Sequence, residues 1–338
     1  SWMFLSSFEK TRKNIINAKD NVCLMHMENM VMGIAFGTAV TIFRNKNISN
    51  FKGTYNYIKL CDIENNKPRY FPVMENRFAQ VSTDNFSRIP GTPIAYWVGE
   101  QVLKAFSSSL LEDYGYPKQG FATGNNDTFL RFWHEVDFTK IGFNMADREE
   151  ASKSNKKWFP CNKGGAFRRW YGNNTYLANW EFDGKEMTEF KGSVIRNPQF
   201  YFRQGMTWSS LTSGKLSMRY SPKGFLFESK GSVCFMKDEN NLLYILGLMN
   251  TSIVSNMLLV LSPTLDYHEG PMSRVPIIIS NQYKNRVEKI VKENIEMCKE
   301  DWDSFETSWD FKQHPLVKYS VGTIKEAFDI WTRECDDS

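Results

Sequence analysis

From Trp158 to Lys230 no apolar run is long: YLANWEF, VIRNPQFYF, KLSMRY and GFLFES are cut apart by Gly, Asn and Pro turns. Short runs bounded by turn residues suit strands, so this stretch predicts several short, mostly antiparallel strands. Its charge also sets it apart. Lys156 to Lys230 carries 13 Lys/Arg against five Asp/Glu, a net +8, while the remainder, with 29 basic and 33 acidic residues, sums to −4. Cations alternate there with Trp158, Phe159, Phe167, Trp170, Tyr171, Trp208 and Tyr220, and with Asn162, Ser209, Ser210, Thr212 and Ser213. Cations hold phosphates, amides and guanidinium groups read base edges, and flat rings pack on sugars or bases, so the mixture points to a nucleic-acid surface. A solvated β-rich face over an ordinary aromatic core has the same composition, and that reading stays open.

A chain of 338 residues predicts two or three domains, and 15% aromatic residues predict buried cores throughout. The longest apolar run, Leu242 to Leu261, is interrupted by Gly247, Asn250, Thr251, Ser252, Ser255 and Asn256, which favours a buried helix over a membrane span. Six cysteines without a Cys-x-x-Cys pair encode neither a disulfide framework nor a zinc site. The expectation is a cytoplasmic protein that engages no membrane. The opening SWMFLSSFEKTRKNII already follows a helical apolar pattern (Phe4, Leu5, Phe8, Ile15, Ile16), as if cut from a larger fold.

In chain order, strands are expected at Val22 to Met27, Thr38 to Phe43 and Thr54 to Cys61, the closing edge of an α/β sheet over residues 1–62. Residues 63–109 read as a connector and then a helix. Thr92 would be its N-cap and Pro93 its first turn, with Ile94, Trp97, Val98, Val102 and Phe106 on one face. Residues 110–280 hold the basic stretch, the Leu242 to Leu261 helix and a strand at Val275 to Ile279. Residues 281–338 are helical, with an amphipathic helix over Gln282 to Lys299 whose spacing Trp302, Phe305 and Trp309 continue. From Lys284 onward nine basic residues face 13 acidic ones, so this tail is expected to pack on its own chain or a protein partner, not on phosphate.

Several chemistries lack their motifs. There is no Gly-x-x-x-x-Gly-Lys-Ser/Thr, no Gly-x-Ser-x-Gly and no His-Glu-x-x-His. His26, His134, His268 and His314 are far apart and read as structural. Asp183-Gly184-Lys185 and Glu228-Ser229-Lys230 are the carboxylate–lysine groupings a divalent-metal nuclease would use, and such triplets also arise by chance.

Many blocks, in order, resemble one family. SWMFLSSFEK, GIAFGTAVTIFRN, FKGTYNYIKL, IPGTPIAYWV, GFATGNNDTFLRFWHEV, KWFPCNKGGAFRRWYGN, TWSSLTSGKLSMRYSPKGFLFESKGS, YILGLMNTSIVSNMLLVLSPTLD and DWDSFETSWDFKQHPL are similar to the C-terminal half of the PglX adenine-specific DNA methyltransferases of BREX phage-exclusion systems, akin to type IIG restriction-modification enzymes. The resemblance implies an α/β (α+β) protein: the tail end of a Rossmann-like methyltransferase sheet (1–62), a connector and helix (63–109), a mixed α/β DNA target recognition domain (110–280) and a C-terminal helical segment (281–338). In the family, the glycine loop for S-adenosylmethionine and the Asn-Pro-Pro-Tyr/Phe motif precede the part matching this chain. The whole enzyme would use S-adenosylmethionine, while the fragment alone is expected to bind no cofactor and transfer no methyl group. Related enzymes stack the extruded adenine on an aromatic residue just before the strand matching TAVTIF. Phe36 is the nearest aromatic there, Met32 stands closer to strict register, and packing of Phe36 under the sheet is the alternative.

For DNA reading, the residues singled out are Asn125 and Asn126 in the amide-rich loop, and Lys163, Arg168, Arg169, Trp208, Ser210, Thr212, Lys215 and Arg219 in the basic stretch. Arg can fork onto guanine and Asn onto adenine, and Lys163 and Lys215 stand beside glycines that let an ammonium approach phosphate. The expected function is double-stranded DNA binding and target recognition for a site-specific adenine-N6 methyltransferase in phage defence. Docking of other phage-defence proteins through Trp302, Phe305 and Trp309, or metal-dependent DNA cleavage, are the alternatives.

Overall fold

The computed structural model describes residues 2–337 apart from 66, 213, 263–265, 320 and 321, with backbone alone at 32 and 337. The chain divides into two units. The first comprises Ser1–Leu110, Asn256–Thr264 and Arg274–Pro276, and the second Leu111–Ser255, Leu265–Ser273 and Ile277–Ser338.

In the first unit, short runs rich in apolar and β-branched residues form β1 (Asp20–Met27), β2 (Thr38–Arg44) and β3 (Lys52–Ile58). β1 pairs antiparallel with β2 and parallel with β3. The segment expected as a connector contributes more: a hairpin of β4 (Ile63–Glu64) and β5 (Lys67–Pro68), then β6 (Arg77–Ser82), which pairs antiparallel with β3. The sheet order is β2-β1-β3-β6. Polar, partly exposed RFAQVS gives a weak local strand signal, and its partner lies a full loop earlier in the chain.

Ile16, from the helix Glu9–Ala18, is buried with Met3, Leu24, Tyr55, Phe86, Ile94 and Tyr96. The helix expected at Thr92 begins only at Glu100 and ends at Ala105. Thr92 has a φ of +51°, outside the extended conformation of an N-cap, and its carbonyl is committed to Arg12. The Ile94 amide donates to the Met3 carbonyl at 3.0 Å. Ala95, Leu103 and Phe106 still bury their side chains, in a cluster with Met257 and Val260.

His26 is structural, as its isolation in sequence predicts. Its Nδ1 lies 3.1 Å from the Tyr96 hydroxyl, and its ring is 4.9 Å from that of Tyr57. Burial disfavours the imidazolium and brings its pKa down from 6.5 to about 4. A depressed folded-state pKa means that the stabilisation is present above pH 6.5 and is lost as pH falls towards 4. The expected loss is roughly 2–3 kcal/mol, read from urea midpoints across that window and absent in His26→Gln. Equal pH sensitivity in the two proteins would refute the assignment.

The second unit contains eight short strands among the described residues: β7 (Gly115–Lys118), β8 (Leu130–Phe132), β9 (Trp158–Asn162), β10 (Tyr176–Asn179), β11 (Gly205–Trp208), β12 (Met218–Ser221), β13 (Leu226–Phe227) and β14 (Val233–Met236). They form two open sheets, β13-β9-β10-β8 and β12-β11-β14-β7, antiparallel except for β13 with β9. Phe121, Phe129, Phe159, Trp180, Phe202 and Phe227 lie in one buried cluster that takes residues from both sheets. The architecture is thus mixed α/β, with open sheets and C-terminal helices.

Three expected elements differ. VIRNPQFYF forms a turn, because Asn197 and Phe202 take left-handed conformations (φ +54° and +67°) and Pro198 opens a single 3-10 turn. Val275 to Ile279 forms no strand, only one bridge between Leu110 and Pro276. The Leu242 to Leu261 run is two helices, Leu242–Met249 and Ser252–Leu261, bent by 83°. At the bend the Asn250 side chain accepts from the Met218 amide (2.9 Å) and donates to the Met218 carbonyl (3.0 Å), tying the helix end to β12. No single helix among the described residues is long and apolar enough to cross a membrane. The helix Asn281–Asp303 covers the expected Gln282 to Lys299, and Gly247 leaves room for Val291 against the Leu242–Met249 helix. A further amphipathic helix spans Ile324–Asp337.

Candidate nucleic-acid interface

Strand register gathers one set of loops in the second unit. Cys161 of β9 is level with Tyr176 and Leu226, and Tyr176 with Phe132, so the exits of β8, β9 and β13 share one end of the first sheet. In the second sheet Trp208 is level with Met218, Thr207 with Val233 and Val233 with Lys118, so the exits of β7 and β11 share an end with the entries of β12 and β14. The segment joining β13 to β14 serves both ends. The Glu228 amide donates to the Asn162 carbonyl, and the Ser210 amide to the Lys230 carbonyl, each at 2.9 Å. The Ser229 amide reaches Phe121 (2.8 Å), and the Ser209 hydroxyl reaches Gly165 (3.0 Å). Loops 119–126, 163–175, 209–217 and 228–232 therefore converge. Gly120 is required, since a Cβ there would sit 1.8 Å from the Phe227 carbonyl oxygen, and Gly164 turns the chain at a φ of +87°.

These loops carry Lys163, Lys215 and Lys230, and Lys191 stands on a neighbouring turn bonded through Val194 to Ala122 (2.8 Å). Of the 13 Lys/Arg between Lys156 and Lys230, only Lys157 and Arg168 form ion pairs among the described residues. Lys185, Lys191, Arg203, Lys215, Lys223 and Lys230 are exposed and have no ion-pair partner among the described residues, which favours polyanions. The Lys163 ammonium lies 4.4 Å from the Tyr176 ring centroid. Asn125 and Asn126 are exposed at the tip of loop 119–126. The Asn125 side chain caps the short helix Asn126–Phe129 by accepting from the Thr128 amide, and Asn126 accepts from the Thr123 hydroxyl at 2.6 Å. Thr212 accepts from the Gly214 amide at 3.1 Å and Lys215 is exposed beside it, while Ser213 lies outside the described residues.

Three residues expected to touch DNA are buried. Trp208 donates its indole N–H to the Tyr267 carbonyl at 2.8 Å, and the Ser210 hydroxyl meets that of Ser232 at 2.9 Å. The Arg219 guanidinium contacts the Arg168 carbonyl at 3.4 Å, and burial lowers its pKa to about 10. Residues of β11 and β12 are covered on both sides, so the alternation that usually exposes every second side chain does not operate there. Arg168 is committed as well, paired with Asp301 at 2.8 Å and lying 4.9 Å from the Trp302 ring centroid. Arg169 is half-buried, its guanidinium 5.5 Å from the ring of Phe167, which is 53% exposed. Lys191 and Lys230 were missed as individual contacts, although each precedes a glycine just as Lys163 does.

The residues expected to dock partners are partly spent internally. Trp302 is buried against Gly172, and Trp309 packs 5.2 Å from Phe143 and 6.0 Å from Phe225, while Phe305 is exposed. The nuclease triplets are spent too: Asp183 accepts from Arg148 (3.0 Å) and the Trp180 indole (3.1 Å), and buried Glu228 accepts from the Ser229 hydroxyl and the Lys230 amide. Among the described residues no cluster of three His, Cys, Asp or Glu could hold a metal.

In the first unit Phe36 is 72% exposed, which overturns packing under the sheet; the Met32 side chain lies outside the described residues. Gly33 and Gly37 sit between antiparallel β1 and β2, not at a strand-to-helix turn.

No family model matches the chain. It is homologous to two curated proteins. One is the adenine-specific methyltransferase PglX of Lacticaseibacillus casei (strain Zhang), 36% identical over 360 residues, covering 99% of this chain and 30% of PglX. The other is the adenine-specific methyltransferase BrxX of Escherichia coli O9:H4 (strain HS), 33% identical over 325 residues, covering 94% of this chain and 26% of BrxX. The chain thus spans less than a third of the length of either relative. Among solved structures, the type IIG restriction endonuclease BpuSI aligns with 86% of this chain and 41% of its own at 7% identity, with a TM-score of 0.33, too low to carry an argument.

Proposed function

We propose that this chain is the DNA-binding and target-recognition part of a site-specific DNA adenine-N6 methyltransferase that serves phage defence. One observation carries the reading: loops from both sheets of the second unit meet at one end and present lysines that form no ion pair among the described residues. Similarity to two adenine-specific methyltransferases supports it. Lys163, Lys191, Lys215 and Lys230 hold phosphates, while Asn125, Asn126 and Thr212 stand where base edges would be read. Arg169 joins them through its stack on Phe167, and Arg168 positions loop 163–175 from behind. Methyl transfer from S-adenosylmethionine belongs, on this reading, to the whole enzyme. The deciding experiment is anisotropy of a labelled mixed-sequence duplex titrated with the chain over a range of salt. Affinity should fall steeply as salt rises, and no binding at low salt would sink the proposal.

On the same reading Phe36 is the ring that receives the extruded adenine, which its exposure supports. Base–aromatic stacking contributes about 1–3 kcal/mol, so Phe36→Ala in the whole enzyme should slow methylation roughly ten- to a hundredfold. Methylation kinetics matching the parent's would remove Phe36 from that role.

A further inference from the structure

We propose that the row of rings leading away from Lys163 is a stacking platform for unpaired bases, so that the chain binds single-stranded DNA as well as duplex. The inference rests on the phosphate-binding reading of the convergent loops and adds a second ligand form to it. Lys163 lies over Tyr176, whose ring centroid is 4.7 Å from that of Phe132. Phe132 in turn stacks on His134, the centroids 5.6 Å apart and the planes within 5° of parallel. His134 meets the edge of Trp133 at 5.7 Å. Trp133 and His134 line an open cleft of about 530 Å³ whose other walls are Glu306, Ser308, Trp309 and Phe311. The two sides of this cleft are tied by the Trp133 indole N–H, which donates to the Thr307 carbonyl at 3.1 Å.

Three properties of this row select the ligand. Phe132 and His134 are exposed at the exit of β8, level with the exit of β9 that carries Lys163. Exposed rings at stacking distances from one another offer faces to planar heterocycles, and such stacking is tolerant of base identity. Lys163 beside Tyr176 forms no ion pair among the described residues and favours a ligand with phosphates between its flat groups at that end of the row. Glu135, bonded to the Phe132 amide, and Glu306 in the cleft wall keep phosphate towards Lys163. A paired base keeps its faces inside the duplex, so only an unpaired strand can use this surface.

The test compares the full chain binding a labelled thymidine strand of roughly 12 nucleotides, an abasic strand of equal length and a duplex. The thymidine strand should bind about tenfold or more tightly than the abasic one, and Phe132→Ala with His134→Ala should erase that difference. Duplex affinity of the double variant should stay within about twofold of the parent, which also reports that it folds. Equal binding of the two single strands by the unaltered chain overturns the platform, as does a double variant that folds and keeps the difference. Base-dependent single-strand binding without duplex binding sinks the target-recognition reading and upholds the platform.

Discussion

Replacing Lys163, Lys191, Lys215 and Lys230 together by alanine should weaken duplex binding by on the order of a hundred- to a thousandfold at moderate salt. The physical basis is counterion release: each ammonium held at a phosphate frees about 0.9 of a condensed cation, so the slope of log affinity against log salt should shrink by roughly three to four. None of the four forms an ion pair among the described residues, so their removal leaves no orphaned carboxylate, and the loops stay bonded through backbone amides. Arg168→Ala makes a poorer probe. It would strip Asp301 of its partner and uncover Trp302, mixing lost stability with lost affinity. A quadruple variant that keeps the parent's salt slope would show that phosphate is gripped elsewhere.

Arg12→Met should destabilise the first unit by roughly 2–4 kcal/mol, the cost of leaving one buried and three part-buried carbonyls without their donor. Arg12 is 1% exposed, and its guanidinium donates to four carbonyls: Trp2 (2.8 Å), Leu5 (2.7 Å), Gly91 (2.6 Å) and Thr92 (3.0 Å). It thereby joins the N-terminal turn to the sharp turn at Gly91, whose φ of +83° suits glycine. Methionine fills the stem's volume and supplies no donor, so the loss reports hydrogen bonding, not packing. Arg12→Lys should fall between, since one ammonium has three donors on a single atom and cannot span all four oxygens. Urea midpoints measure the series. A methionine variant as stable as the parent would mean that water satisfies those carbonyls and the guanidinium is dispensable.

Local patterning made β1, β2, β3 and the helix Asn281–Asp303 legible, because their apolar positions and lengths decide the outcome without help from afar. What stayed hidden depends on distant partners. β6 becomes a strand because β3 offers it an edge, and the long apolar helix breaks because Asn250 finds the backbone of Met218. Thr92-Pro93 has the composition of a helix start, yet the demand of Arg12 for the Thr92 carbonyl overrides it. The basic stretch was legible as a surface, but not residue by residue. Composition cannot tell Arg219, sealed behind Arg168, from Lys230 on the rim, since that distinction is made by the second sheet layer.

The glycines at the loop roots have a consequence for how such a protein can change. At Gly120 and Gly231 the strand exits touch backbone to backbone, with a Cβ excluded by carbonyls 1.8 and 2.3 Å away. The frame at these roots is therefore set by main-chain atoms common to every sequence, and side chains such as Ser209, Asn125 and Arg168 add ties within the loops themselves. Substitution at the exposed tip positions that make no such bond, Lys191, Lys215 and Lys230 among them, should therefore leave the scaffold beneath unaltered.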